Sequence, residues 1–179
     1  ELAVQEEPDS DRNVHYLGRE YLYYGRWDDC IATLQHHLQM PNARWKEERC
    51  ASMRYIGQAF LAKGEPRAAE CWFLQAAAEA PDLREPWLGL ARCGYEQKDW
   101  ELTAWAAERC LRIKERSKTY VSEADAWGAE PYDFLSLGLF YTGRPRQALE
   151  AVEQALALAP WNDRLKKNRD LIAAALVQM

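Results

Sequence analysis

The sequence predicts an all-α solenoid of about four helical hairpins closed by a C-terminal capping helix. Three observations carry this expectation. Apolar residues recur at helical spacing through most of the chain, a tight-turn signal interrupts them near Gly25, Gly64, Lys98 and Gly143, and the pattern on either side of each turn returns in phase. Hairpins that cannot bury an apolar face alone must lean on their neighbours, so a stack is the expected architecture.

Residues 1–11 show no sustained period and hold Glu1, Glu6, Glu7, Asp9 and Asp11 with no base. They read as a solvated, disordered acidic leader ending in helix-capping residues at Asp9-Ser10-Asp11. The first repeat spans 12–41. Val14, Leu17, Gly18, Tyr21 and Leu22 form an apolar stripe that Gly25 stops, and Trp27, Cys30, Ile31, Leu34 and Leu38 form a second that ends before Pro41. Two helices joined so tightly must be antiparallel.

The second repeat, 47–81, repeats this with Met53, Ile56, Gly57 and Phe60 before Gly64, then Ala69, Phe73 and Ala76 up to Pro81. Pro66 stands where a helix begins and its missing N–H costs nothing. The third, 84–116, carries Trp87, Leu90, Ala91 and Gly94, then Thr103, Ala107, Cys110 and Leu111. The fourth, 130–160, carries Tyr132, Leu135, Ser136 and Leu139, then Ala148, Val152, Ala155 and Leu156. An insertion at 117–129 precedes it, and 163–179 reads as the capping helix, with Leu165, Leu171, Ile172 and Leu176 covering the last repeat.

Successive turn positions stand 39, 34 and 45 residues apart, and 34 is the tetratricopeptide (TPR) period. The longer steps place their excess between repeats, at 42–46 and 117–129, where an edge of the stack absorbs it. In a TPR unit the helices cross closely, which demands small residues: Gly18, Gly57, Ala91 and Ser136 supply them in the first helices, and Cys30, Ala69, Thr103 and Ala148 in the second. Two departures stand out. The first repeat has His37 where its second helix calls for a small residue, and the third has Gly94 where an aromatic is usual.

Trp27, Trp87 and Trp100 fall on template sites as core wedges, whereas Trp45, Trp72, Trp105, Trp127 and Trp161 fall off the template.

Composition narrows the function. With 48% hydrophobic residues the chain can bury a core, and beyond the acidic leader the formal charges balance, 23 of each sign. That balance lacks the basic excess that phosphate neutralisation needs, so nucleic acid is not the expected partner. No apolar run is long enough to span a membrane and no signal peptide is present, so a cytoplasmic location is expected. The five cysteines have no metal or redox spacing and read as free buried thiols in a reducing compartment.

No catalytic constellation, cofactor motif or metal set is read from spacing. His36-His37 lacks a third ligand at compatible spacing and reads as a surface pair, and no Gly-rich phosphate loop or nucleophile elbow occurs. The remaining candidate is the concave face that the first helices of a TPR stack present to a protein or peptide. By template position it holds His15, Arg19 and Tyr23, then Arg54 and Gln58, then Arg92, Tyr95 and Glu96. Leu22, Leu61, Leu88, Asp133, Leu137 and Tyr141 fall on the same face. The Lys/Asn carboxylate clamp of chaperone co-factors is absent, with His15 and Arg19 in its place.

Beyond the generic repeat, several phrases resemble the TPR region that follows a family 2 glycosyltransferase domain in a set of bacterial proteins. They are Arg12-Asn13 with Tyr16-Leu17, Glu48-Arg49, Arg84-Glu85-Pro86-Trp87, Ile113-Lys114-Glu115-Arg116 with Tyr120, Trp127, Glu130-Pro131-Tyr132-Asp133, and the run from Leu158-Ala159-Pro160-Trp161 to Asn168. Trp161 stands where that family is expected to carry an acidic or small polar residue. The resemblance implies a non-catalytic C-terminal region of such an enzyme, with its own transferase domain among the candidate partners. A chain that begins at Glu1 fits a segment of something longer. The alternatives are a stand-alone adaptor and a self-assembly module.

Overall fold

The computed structural model describes residues 1–177, so the last two positions of the expected capping helix lie outside the described residues. Among those described are ten α-helices, one 3-10 turn and no strand, and the chain forms two compact units, the first covering Glu1–Asp82 and the second beginning at Leu83.

The first unit holds α1 (Leu2–Glu6), α2 (Asp11–Tyr23), α3 (Trp27–Gln39), α4 (Lys46–Ala62) and α5 (Pro66–Glu79). Helices α2 and α3 pair, α4 and α5 pair, and α4 packs on both α2 and α3. The core runs through Val14, Cys30, Leu34, Ile56 and Phe73, each at most 1% exposed. The helices cross where the small residues were expected. A Cβ on Gly18 would stand 2.3 Å from Leu34 Cδ2, and one on Gly57 would stand 2.9 Å from Phe73 Cε2.

The expectation of a disordered leader is corrected. Residues 2–6 form α1, and Glu1 accepts hydrogen bonds from Tyr21 Oη at 2.8 Å and Arg26 Nη1 at 3.0 Å. A carboxylate facing the next turn's phenol and guanidinium holds an otherwise polar segment in place. Ser10 is the N-cap of α2, its hydroxyl accepting from Asn13 N–H.

The second unit holds α6 (Glu85–Gln97), α7 (Trp100–Arg112), a 3-10 turn (Asp125–Trp127), α8 (Glu130–Tyr141), α9 (Pro145–Leu158) and α10 (Asp163–Val177). Each helix from α6 to α9 packs on the next along the sequence, and α7 packs on α8 although the insertion separates them in the chain. Leu165 and Ile172 of α10 join Leu139, Ala148, Val152 and Ala155 in one core. Leu171, expected to help cover the last repeat, is instead 66% exposed, because it lies one position off the buried stripe.

All four hairpin turns close alike. Gly25, Gly64, Lys98 and Gly143 have φ of 71°, 76°, 57° and 76°, and the following N–H donates back to the carbonyl five residues earlier, as Arg26 does to Tyr21 at 2.9 Å and Asp99 to Gly94 at 2.8 Å. This is a Schellman cap with its left-handed residue at C′. Gly94, the departure of the third repeat, has its reason here: a Cβ would stand 2.7 Å from the Thr103 backbone nitrogen, so an aromatic cannot fit.

The insertion is packed. Arg84 Nε donates to Ile113 O at 2.8 Å and Nη1 to Ala126 O at 3.2 Å, with the guanidinium 3.9 Å over the Trp127 ring. Glu123 N–H donates to Glu85 Oε1 at 3.0 Å, and Val121 and Ala126 are buried. The off-template Trp127 therefore seats the insertion, whereas Trp161 is 75% exposed.

Candidate functional site

The structure divides the eight candidate groove residues into buried and accessible groups. His15 is fully buried, because α4 covers the face of α2 that carries it, and its Nδ1 lies 2.7 Å from Ser52 Oγ. Ser52 Oγ lies 2.9 Å from His37 Nδ1, so His37, expected at the surface beside His36, belongs to the core. Ser52 has one proton, and it must donate to one ring and accept from the other. Burial pushes the His15 pKa down to about 4, with Glu48 opposing the shift.

Arg54 is 1% exposed, its guanidinium 5.4 Å from the Tyr55 ring centroid. Both His15 and Arg54 are corrections: neither projects into an open groove. The reason for Arg54 is the enclosure of α4, which is buried almost continuously from Cys50 to Ala59. Gln58 is half-buried on the same helix.

Arg19 and Tyr23 remain accessible in the first unit. The Arg19 guanidinium lies 4.9 Å from the Tyr16 ring centroid and 5.8 Å from that of Tyr23, and it pairs with Glu20 at 3.2 Å. Tyr23 is 67% exposed.

Arg92, Tyr95 and Glu96 lie in the second unit, on α6. Arg92 donates to both Glu130 oxygens, at 2.9 and 2.7 Å. Burial works against the Arg92 charge, but the Glu130 bonds and the negative charges of Glu130, Asp125 and Glu123 together outweigh it and its pKa is raised. Glu96 faces solvent. Tyr95 borders a cleft of about 400 Å³ that is also lined by Glu130, Asp133, Phe134, Leu137 and Arg164. The buried Asp133 accepts a forked pair of hydrogen bonds from Arg164, which hold the Arg164 pKa up.

An aromatic row extends from this cleft. Phe134 meets Tyr95 edge-on at 5.6 Å, Tyr95 meets Trp100 at 5.9 Å, and Trp100 stacks on Tyr141 at 4.2 Å. Template counting had placed Tyr95, Asp133, Leu137 and Tyr141 on one face. It missed Phe134, Trp100 and Arg164, which converge only when α6, α7, α8 and α10 assemble.

No catalytic arrangement emerges at the remaining reactive groups among the described residues. Burial pushes the Cys30 and Cys110 thiols up to about 12, away from nucleophilic ionisation. Cys71, expected buried, is exposed on α5.

The fold is that of a TPR solenoid. No protein-family profile matches the sequence, and no curated protein matches it. Solved TPR structures do. MamA (MSR-1) is similar at a TM-score of 0.69 and 14% identity, covering 93% of this chain and 86% of that one. TTC0263, a thermophilic TPR protein of Thermus thermophilus, is similar at 0.63 and 18%, covering 98% and 86%. The C-terminal TPR-containing domain of a Plasmodium falciparum FK506-binding protein is similar at 0.62 and 18%, covering 74% and 91%. Identities this low establish the TPR-like arrangement of helices, which successive helix pairing in each unit independently shows.

Proposed function

We propose that this chain is a non-catalytic TPR binding module whose second unit takes a protein segment against the row Phe134, Tyr95, Trp100 and Tyr141. The observation that carries this reading is the pairing of charges around an open aromatic cleft. Arg92 is neutralised by Glu130 and Arg164 by Asp133, so the lining has little charge left for an acidic ligand. The aromatic rings stay accessible beside the paired, solvent-facing Arg164 side chain, with Tyr95 40% and Tyr141 57% exposed. Such a surface favours an apolar side chain anchored among aromatic rings, flanked by polar backbone.

The test is site-specific photo-crosslinking from positions 95 and 141 of the full chain, with exposed Lys167 as control. The expected result is one segment, rich in apolar anchors, captured from both positions of the aromatic row and not from the control. Equal capture from all three would overturn the assignment.

For the partner we infer the transferase portion of a bacterial, cytoplasmic family 2 glycosyltransferase to which this chain would be the C-terminal region. The support is the set of phrases described above. Several of those residues now have structural work: Arg84, Glu85 and Trp127 seat the insertion, and Glu130 and Asp133 pair with the cleft arginines. The resemblance therefore concerns how this scaffold is built. Reading the coding sequence upstream of Glu1 decides the matter: a nucleotide-sugar domain supports the inference, and a native start codon there overturns it.

A further inference from the structure

The first repeat departs from its template at His37, and the consequence is chemical. The Asp11 carboxylate, a His37 ring nitrogen and the Glu48 carboxylate lie within 4.8 Å of one another. They come from three helices: Asp11 from the first turn of α2, His37 from the last turn of α3, and Glu48 from the first turn of α4. His37 is fully buried and Glu48 is 4% exposed, while Asp11 is partly exposed and leaves a route to solvent.

His37 points at the carboxylates with the right atom. Its Nδ1 is engaged by Ser52 Oγ at 2.9 Å, and its Nε2 is buried with no hydrogen bond, since Glu48 Oε1 at 3.6 Å is beyond that range. A buried imidazole nitrogen without a hydrogen bond, aimed between two carboxylates, is a costly arrangement for packing alone.

We propose that Asp11, His37 and Glu48 form a binding site for one divalent transition-metal ion, with Zn²⁺ as its representative. Ligands about 2.0–2.1 Å from a tetrahedral ion stand roughly 3.3 Å apart. The 3.6 Å separation of His37 Nε2 and Glu48 Oε1 nearly meets that already, and rotation of the accessible Asp11 side chain closes the third side. One imidazole and two carboxylates suit a first-row ion better than Mg²⁺, which prefers oxygen and water.

The neighbouring core supplies the outer shell. When His37 Nδ1–H donates to Ser52 Oγ, the Ser52 hydroxyl donates in turn to His15 Nδ1 at 2.7 Å, and His37 Nε2 presents its lone pair to the ion. Ser52 and His15 are thus positioning residues. The ion would join α2, α3 and α4, fastening the first hairpin to the second, and the site stands independently of the cleft in the other unit.

The test is equilibrium dialysis of the EDTA-stripped full chain against Zn²⁺, in a Cys71→Ser background that removes the exposed thiol. One saturable Zn²⁺ per chain is expected, with Mg²⁺ binding at least about a hundredfold weaker. Because His37 and Glu48 are buried, Asp11→Asn is the decisive variant. It should weaken Zn²⁺ at least about tenfold while the far-ultraviolet circular dichroism is unchanged, whereas His36→Gln should bind as the parent does. At a hundredfold excess of Zn²⁺ over its Kd the thermal midpoint should rise by roughly 5–10 °C. No saturable Zn²⁺, or equal affinity in Asp11→Asn and parent, would overturn the proposal.

Discussion

Gly138 of α8 lies against Ala104 of α7 with no room for a side chain: a Cβ there would stand 2.6 Å from the Ala104 backbone nitrogen. At Gly18 the obstruction is nearer, 2.3 Å, but it is the end of the Leu34 side chain. A side-chain tip can rotate at some cost, whereas a backbone nitrogen moves only with its helix. Gly138→Ala is therefore expected to destabilise by about 1–3 kcal/mol, and by more than Gly18→Ala, even though alanine is the better helix former. Urea unfolding of the two variants checks the order.

Lys98 occupies the left-handed position that glycine fills in the other three turns, at φ 57°. An L-residue there carries strain of about 1–2 kcal/mol, part of which glycine gives back through its looser unfolded chain. Lys98→Gly should raise stability by about 0.5–1 kcal/mol, seen as a higher urea midpoint at unchanged slope. A lower midpoint would mean that the side chain contributes more than the strain costs.

His15 makes stability fall on mild acidification. Its folded pKa is about 4 against an ordinary 6.5, chiefly through burial, with Glu48 opposing and His37, Arg19 and Arg54 adding to the depression. Below pH 6.5 the unfolded chain takes up a proton that the folded chain refuses until about pH 4. Stability contributed by the neutral ring is thus fully present above about 6.5 and lost progressively down to about 4, at up to about 1.4 kcal/mol per pH unit. Urea midpoints in EDTA between about pH 7 and 4.5 should converge for wild type and His15→Asn as the pH falls. Parallel curves would contradict this.

Arg84→Ala should release the insertion. The variant loses two hydrogen bonds to backbone carbonyls and the contact with Trp127. Amide exchange across residues 113–127 should quicken at least about tenfold, while exchange in α9 and α10 stays as in the parent. Uniform acceleration throughout the second unit would show instead that Arg84 supports the whole unit.

Much of the fold was legible because it rests on local rules. Amphipathic spacing marks helices, a left-handed C′ position marks each turn, and small residues at Gly18 and Gly57 mark helix crossings; each depends on a few consecutive residues. The candidate groove was legible only in part. Template counting assigns a face to each helix by itself, and it placed His15 and Arg54 on an open surface that α4 and its enclosure remove.

By itself the sequence determined the number of hairpins, the places where they turn, and two irregularities, Gly94 in the third repeat and a histidine at position 37 where packing asks for a small side chain. Tertiary structure alone decided what that histidine meets. Asp11, Ser52 and Glu48 reach it because α2 and α4 bring their N-terminal halves to the end of α3, and Arg164 reaches Asp133 because α10, packed on α9, starts within side-chain reach of α8. Periodicity carries the face of a helix but not the rotation and offset between helices, and those two quantities set every distance in both sites.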